Sequence, residues 1–232
     1  PDVAAAVHAG SFESGFAHYC SDGYINRSPH WLFSETVYLA RYPDLTRATL
    51  ERLGAFNGYD HYLRYGDREF RSGHLLFDPH LYYAHARVRG DGSPRQAAGK
   101  TSALSIPEIG PFTAFLADEA EQNTLRVSWY FDPEWYLKTY PEVAEAVEGG
   151  QIRNPLHHFL TNKTPVDFCG LEWFSEAYYL EQYPDIADAI ATGQLRSAYD
   201  HFLRYGAFER RRPHPDVDLN AYFFSGTVRA DI

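Results

Sequence analysis

Apolar residues recur along this chain at helical spacing, in short runs cut off by Pro, Gly and capping residues. One kind of run opens at Phe33-Ser34-Glu35, Phe77-Asp78-Pro79, Phe131-Asp132-Pro133 and Phe174-Ser175-Glu176. Ser or Asp can cap the free amides there, and Pro or Glu suits a first turn. Helix starts are therefore expected at Ser34, Asp78, Asp132 and Ser175. Within the last of these runs Tyr179, Leu180 and Tyr183 share a face, and the Pro that follows should end the helix.

A second kind of run begins at a Pro-acid step, as in Asp185–Ala191, with the acid read as an N-cap and Gly193 as a left-handed stop. The segments Asp2–Gly10 and Glu142–Gly149 repeat that design. A third kind carries a His, as in Ser197–Tyr205, and Gly206 reads as its stop; Asn154-Pro155 supplies an equivalent start. Helices this short are marginal alone, so packing between them must hold them. No strand alternation is convincing. The expected fold is all-α.

The three kinds of run follow one another in a fixed order. Pro-acid steps at Pro1, Pro43, Pro141 and Pro184 precede His18, His61, His158 and His201 by 17, 18, 17 and 17 residues. Gly23, Gly66 and Gly206 follow the His, with Lys163 in the remaining place; Tyr38, Tyr82, Tyr179 and Tyr222 follow the next anchor. A period of about 43 residues signals stacked repeats, each burying its apolar face on its neighbours. Residues 1–232 thus read as a single helical repeat array of about five units, three short helices each. The middle unit is degenerate: Ala114-Phe115-Leu116 aligns with His201-Phe202-Leu203, and an irregular insertion occupies 87–110. A break of that length is either functional or disordered.

Composition narrows the function. Aromatics make up 16% of the chain, too many for a disordered segment, and a net charge of −10 argues against nucleic acid and anionic membrane. Cys20 and Cys169 fall at different points of the repeat and read as free buried thiols. No stretch is long enough for a membrane span, and no signal peptide is visible. The chain opens inside a repeat and has no Met, so it reads as part of something longer, with cut repeat ends that would favour self-association.

A His repeated at one point of four units reads as a structural residue, because a catalytic group is needed once, in one environment. No catalytic residue, cofactor or metal follows from the sequence: there is no G-x-S-x-G, P-loop, H-E-x-x-H or EF-hand loop. Trp31 and Trp129 stand two residues before anchors Phe33 and Phe131, where Leu75 and Glu172 stand elsewhere. A position that accepts Trp, Leu or Glu reads as partly exposed, which makes the two tryptophans candidate ligand-binding residues for stacking on a sugar or gripping a peptide. Filling gaps between units is the competing reading.

The words Tyr-Leu-x-x-Tyr-Pro-Asp (Tyr38–Asp44, Tyr179–Asp185) and Asp-His-Tyr/Phe-Leu-Arg-Tyr-Gly (Asp60–Gly66, Asp200–Gly206), with a trailing Glu209-Arg210-Arg211, resemble short bacterial repeats. Such repeats occur in surface or secreted proteins and beside glycosyltransferases of polysaccharide synthesis. The resemblance implies a noncatalytic module at a bacterial cell surface, recognising a surface or capsular polysaccharide or another protein. Two alternatives stay open: a cytoplasmic accessory region of a polysaccharide-synthesising glycosyltransferase, and a small glycan-active enzyme.

Overall fold

The computed structural model describes residues 2–21, 23, 30–88 and 109–220, except for the side chains at 20, 87 and 88. Among them the structure is helical without a strand, and isolated bridges occur, as at His74–Phe77 and His214–Val217. Two compact units divide the chain, Pro1–Trp129 and Tyr130–Ile232. Much of the insertion (89–108), the Cys20 side chain and Tyr222 lie outside the described residues.

The first unit contains α1 (Asp2–His8), α2 (Gly15–Ser21), α3 (Glu35–Arg41), α4 (Arg47–Arg52), α5 (Gly58–His61), α6 (Pro79–Val88), α7 (Pro111–Ala117) and α8 (Glu119–Thr124). The second contains α9 (Pro133–Thr139), α10 (Pro141–Glu148), α11 (Pro155–Thr161), α12 (Glu176–Gln182), α13 (Pro184–Ala191) and α14 (Ala198–His201). Helices α5 and α14 run on as wider π turns, Tyr62–Gly66 and Phe202–Gly206.

All four expected caps form. Val37 N–H donates to Ser34 Oγ, Leu81 to Asp78, Trp135 to Asp132 and Tyr178 to Ser175, at 3.0–3.4 Å. Each such cap contributes about 1 kcal/mol. The cap residues also reach forward: their own amides donate to the carbonyls of Gly73, Val127, Gly170 and Pro213 respectively, at 2.7–3.0 Å. The start of each tyrosine-bearing helix is thereby tied to a turn further along the chain.

The Pro-acid steps differ from the sequence reading. Pro141 and Pro184 are themselves the first helical residues, so Glu142 and Asp185 stand second and cap nothing. Proline fits that place because its missing N–H is one the helix leaves unpaired anyway. Asp185 instead pairs with Arg211 at 3.1 Å, and Asp44 pairs with Arg71 at 2.9 Å in a turn ahead of α4. The two guanidiniums lie over the Tyr183 and Tyr42 rings, 4.7 and 4.8 Å from their centres. Gly10 and Gly193 adopt the expected positive φ, but after α10 it is Gly150, not Gly149, that does so.

The core is aromatic. Phe33 packs on Tyr38, Tyr59 and Tyr62 with ring centres 4.8–5.3 Å away. Phe174 packs likewise on Tyr179, Tyr199 and Phe202 at 4.7–5.4 Å. Cys169 is a buried free thiol, as read, whose Sγ lies 3.3 Å from the Leu171 carbonyl. Burial pushes its pKa up to about 12, which leaves it inert. Ser72 does the same job elsewhere, donating to the His74 carbonyl at 2.8 Å.

Candidate functional site

The repeated histidines are the residues with the most chemistry to offer, and the structure commits them to tyrosines. His61 Nδ1 lies 3.0 Å from the Tyr38 hydroxyl, His158 Nδ1 2.8 Å from that of Tyr136, and His201 Nδ1 2.9 Å from that of Tyr179. Burial depresses the pKa of all three imidazoles, so they are neutral at pH 7. It raises the three tyrosines well above their ordinary range. A pair repeated in both compact units, with the imidazole neutral and its Nδ1 engaged, is a packing device. Where the His is replaced by Ala114, the corresponding Tyr82 hydroxyl donates to Glu121 at 2.9 Å instead.

A buried carboxylate, Glu35, and a half-buried one, Glu176, complete these corners. Glu35 accepts from the Gly58 and Tyr59 amides at 2.6 and 3.0 Å, while Asn57 accepts from Asp60 at 2.9 Å. Glu176 accepts from Ala198 and Tyr199 at 2.9 and 3.0 Å, and Ser197 accepts from Asp200 at 3.1 Å. All three amides of a helical first turn are thus satisfied, two by a carboxylate from the tyrosine-bearing helix and one by the cap. Burial raises the pKa of both acids, against the pull of those amides, and carries Glu176 up to about 7.

Two classes of corner emerge. Where the tyrosine-bearing helix starts Ser-Glu (Ser34-Glu35, Ser175-Glu176), the His helix starts at Gly58 or Ala198, which have an N–H to give. Where it starts Asp-Pro (Asp78-Pro79, Asp132-Pro133), the partner helix starts at Pro111 or Pro155, which has none. A missing carboxylate is matched by a missing amide. In the Pro111 corner the remaining amides, Phe112 and Thr113, are taken by buried Asp67 at 2.8 and 3.0 Å. That pairing of Ser-Glu with an amide and Asp-Pro with a proline is visible in the sequence, and reading each start on its own misses it.

The tryptophans are left over from this machinery. Trp129 is 59% exposed, on a turn held by Arg126, which donates to the Ser128 and Trp129 carbonyls at 3.0 and 2.9 Å. Trp31 is half-buried, its ring 5.4 Å from His30. No described contact joins the two. Tyr65, Tyr205 and Phe208 are further exposed aromatics. Among the described residues no group of three or more His, Cys, Asp and Glu is placed to hold a metal, and no helix is long and apolar enough to cross a membrane. These features define a protein that is all-α among the described residues. No protein-family model, curated protein or solved structure matches the chain.

Proposed function

We propose that the chain is a noncatalytic array of about five helical repeats that recognises carbohydrate at a bacterial cell surface. The observation that carries this reading is the division of labour among its aromatic residues. Tyr38, Tyr136 and Tyr179 are buried and bonded to His61, His158 and His201, while Trp129 presents an indole to solvent on a braced turn. A flat ring carried on a braced turn suits stacking on the apolar face of a sugar. A glycan array probed with the purified chain tests it. Binding to a defined set of glycans, lowered at least tenfold by Trp129→Ala with the melting curve unchanged, is the expected result. An array with no bound glycan, or binding indifferent to Trp129, overturns it.

A further inference from the structure

The α3–α5 and α12–α14 corners carry a second set of groups that a tyrosine–histidine pair does not need. Arg71 pairs with Asp44 at 2.9 Å and Glu69 at 2.7 Å, and Arg211 pairs with Asp185 at 3.1 Å and Glu209 at 2.6 Å. One helical turn before each Glu stands Tyr65 or Tyr205, whose backbone carbonyl accepts the Glu amide at 3.1 or 3.0 Å. The Tyr65 ring lies 5.5 Å from His61 and the Tyr205 ring 5.7 Å from His201, and both tyrosines are exposed. The α9–α11 corner forms its Tyr136–His158 pair without any of this. Asn162, Val166 and Phe168 stand at the aligned places, and the Phe168 ring packs against His158.

The histidine supplies one more group. The Tyr38 and Tyr179 hydroxyls have no other acceptor among the described residues, so each donates to Nδ1, and the one hydrogen of the neutral ring sits on Nε2. No described residue bonds that nitrogen in His61 or His201, and neither nitrogen is sealed from solvent. The backbone is strained where the set is held together. Between the Glu and the Arg, Phe70 and Arg210 adopt φ 58° and 57°, a left-handed conformation that residues other than glycine rarely take, and the aligned Asp167 does not.

We infer that these two places are equivalent binding sites for a neutral hexose residue of a glycan, one in each compact unit. Tyr65 and Tyr205 offer a ring to the apolar face of the sugar. The imidazole Nε2–H donates to one hydroxyl. The exposed carboxylates of Asp44 and Asp185, fixed by their arginines, accept from others through lone pairs that the guanidinium leaves unused. Charge sets the class: two carboxylates against one guanidinium leave each site net negative, which disfavours a uronic acid. The inference rests on the glycan reading above for its ligand, but not on Trp129.

Methyl glycosides of glucose, galactose and mannose, and the methyl glycoside of glucuronic acid, titrated into the full chain, test the inference through the imidazole nitrogen resonances. Before any addition, His61 and His201 are expected to be Nε2–H tautomers. At least one neutral glycoside should then move both residues with similar affinity, leave His158 in place, and bind at least tenfold more tightly than the glucuronide. Tyr65→Ala should remove the response of His61 alone and Tyr205→Ala that of His201 alone, while Trp129→Ala should change neither. No response to any neutral glycoside, equal movement of His158, tighter binding of the glucuronide, or a response that Trp129→Ala abolishes overturns the inference. Array binding that needs Trp129 but survives loss of both Tyr65 and Tyr205 overturns it while the reading above stands. An empty array with His61 and His201 still responding to a hexoside does the reverse.

Discussion

The α12–α14 corner and the α9–α11 corner share a tyrosine–histidine pair of nearly the same length, but they end their third helix differently. After His201 the chain widens into a π turn as far as Gly206, whereas after His158 the helix stops and Asn162 turns extended, with ψ 156°. The glycine decides this. A Cβ on Gly206 would land on the Tyr179 hydroxyl, and one on Gly66 would land on that of Tyr38. Lys163 cannot follow the same path past Tyr136, so the helix ends early and Phe168 packs on His158 at 4.7 Å, in the role that Tyr205 fills beside His201 at 5.7 Å. The same pair can be closed in two ways. The choice is made five residues after the His.

The largest effect should come from removing that glycine. Gly206→Ala is expected to destabilise by about 3 kcal/mol, because the added methyl overpacks a fixed oxygen. Tyr179→Phe should recover much of the loss when combined with it, which a double-mutant cycle in denaturant melts would show as strong coupling. Lys163→Ala, at the aligned place in the other corner, should change stability by less than about 0.5 kcal/mol. Similar losses at 206 and 163 would break the comparison.

The carboxylate clamps come next. Glu35→Ala leaves the Gly58 and Tyr59 amides without their acceptor and should cost about 2 kcal/mol in the same melts. The Asp-Pro corners have no such clamp from the tyrosine-bearing helix to lose, since Pro79 and Pro133 stand where Glu35 and Glu176 stand. Glu176 adds a pH dependence whose sign follows from its raised pKa, about 7 against the ordinary 4.5. The folded state then holds the proton more tightly than the unfolded state. Its contribution is fully present below about pH 4.5 and is lost as the pH rises through 7. The stability advantage of the parent over Glu176→Gln should therefore shrink between pH 4.5 and 7.5. His61, His158 and His201 act the other way, since their lowered values remove stability as the pH falls below the ordinary 6.5, but they are common to both proteins and cancel in the difference. A difference that grows with pH would contradict the burial of Glu176.

The sequence made the helix starts legible because a cap is a local event: Ser34, Asp78, Asp132 and Ser175 each bond an amide three residues on. The role of Gly206 was not legible that way. A glycine after a helical run reads as a stop, but this one is chosen for a tyrosine oxygen arriving from 27 residues earlier. The acids at 44 and 185 were misread for the same reason, since Arg71 and Arg211, their partners, lie a helix pair away. Of the candidate site, the exposure of Trp129 followed from its tolerance of Leu and Glu at aligned positions.

The smallest effect should separate the two Ser-Glu corners from each other. Tyr62 and Phe202 occupy the same place at the centre of their corners, and both are buried. The Tyr62 hydroxyl faces the Gly73 N–H at the margin of hydrogen-bonding geometry. The residue aligned with Gly73 is Pro213, which has no N–H to offer. Phe202→Tyr would therefore bury a hydroxyl opposite no donor and should cost about 1–2 kcal/mol. Tyr62→Phe gives up only a marginal bond while keeping the packing on Phe33 and Phe112, at 5.2 and 5.1 Å, so its cost should stay below about 1 kcal/mol. Thermal melts of the two single variants decide it. Equal costs would mean that the Gly73 amide and the Pro213 ring are not what distinguishes the two sites.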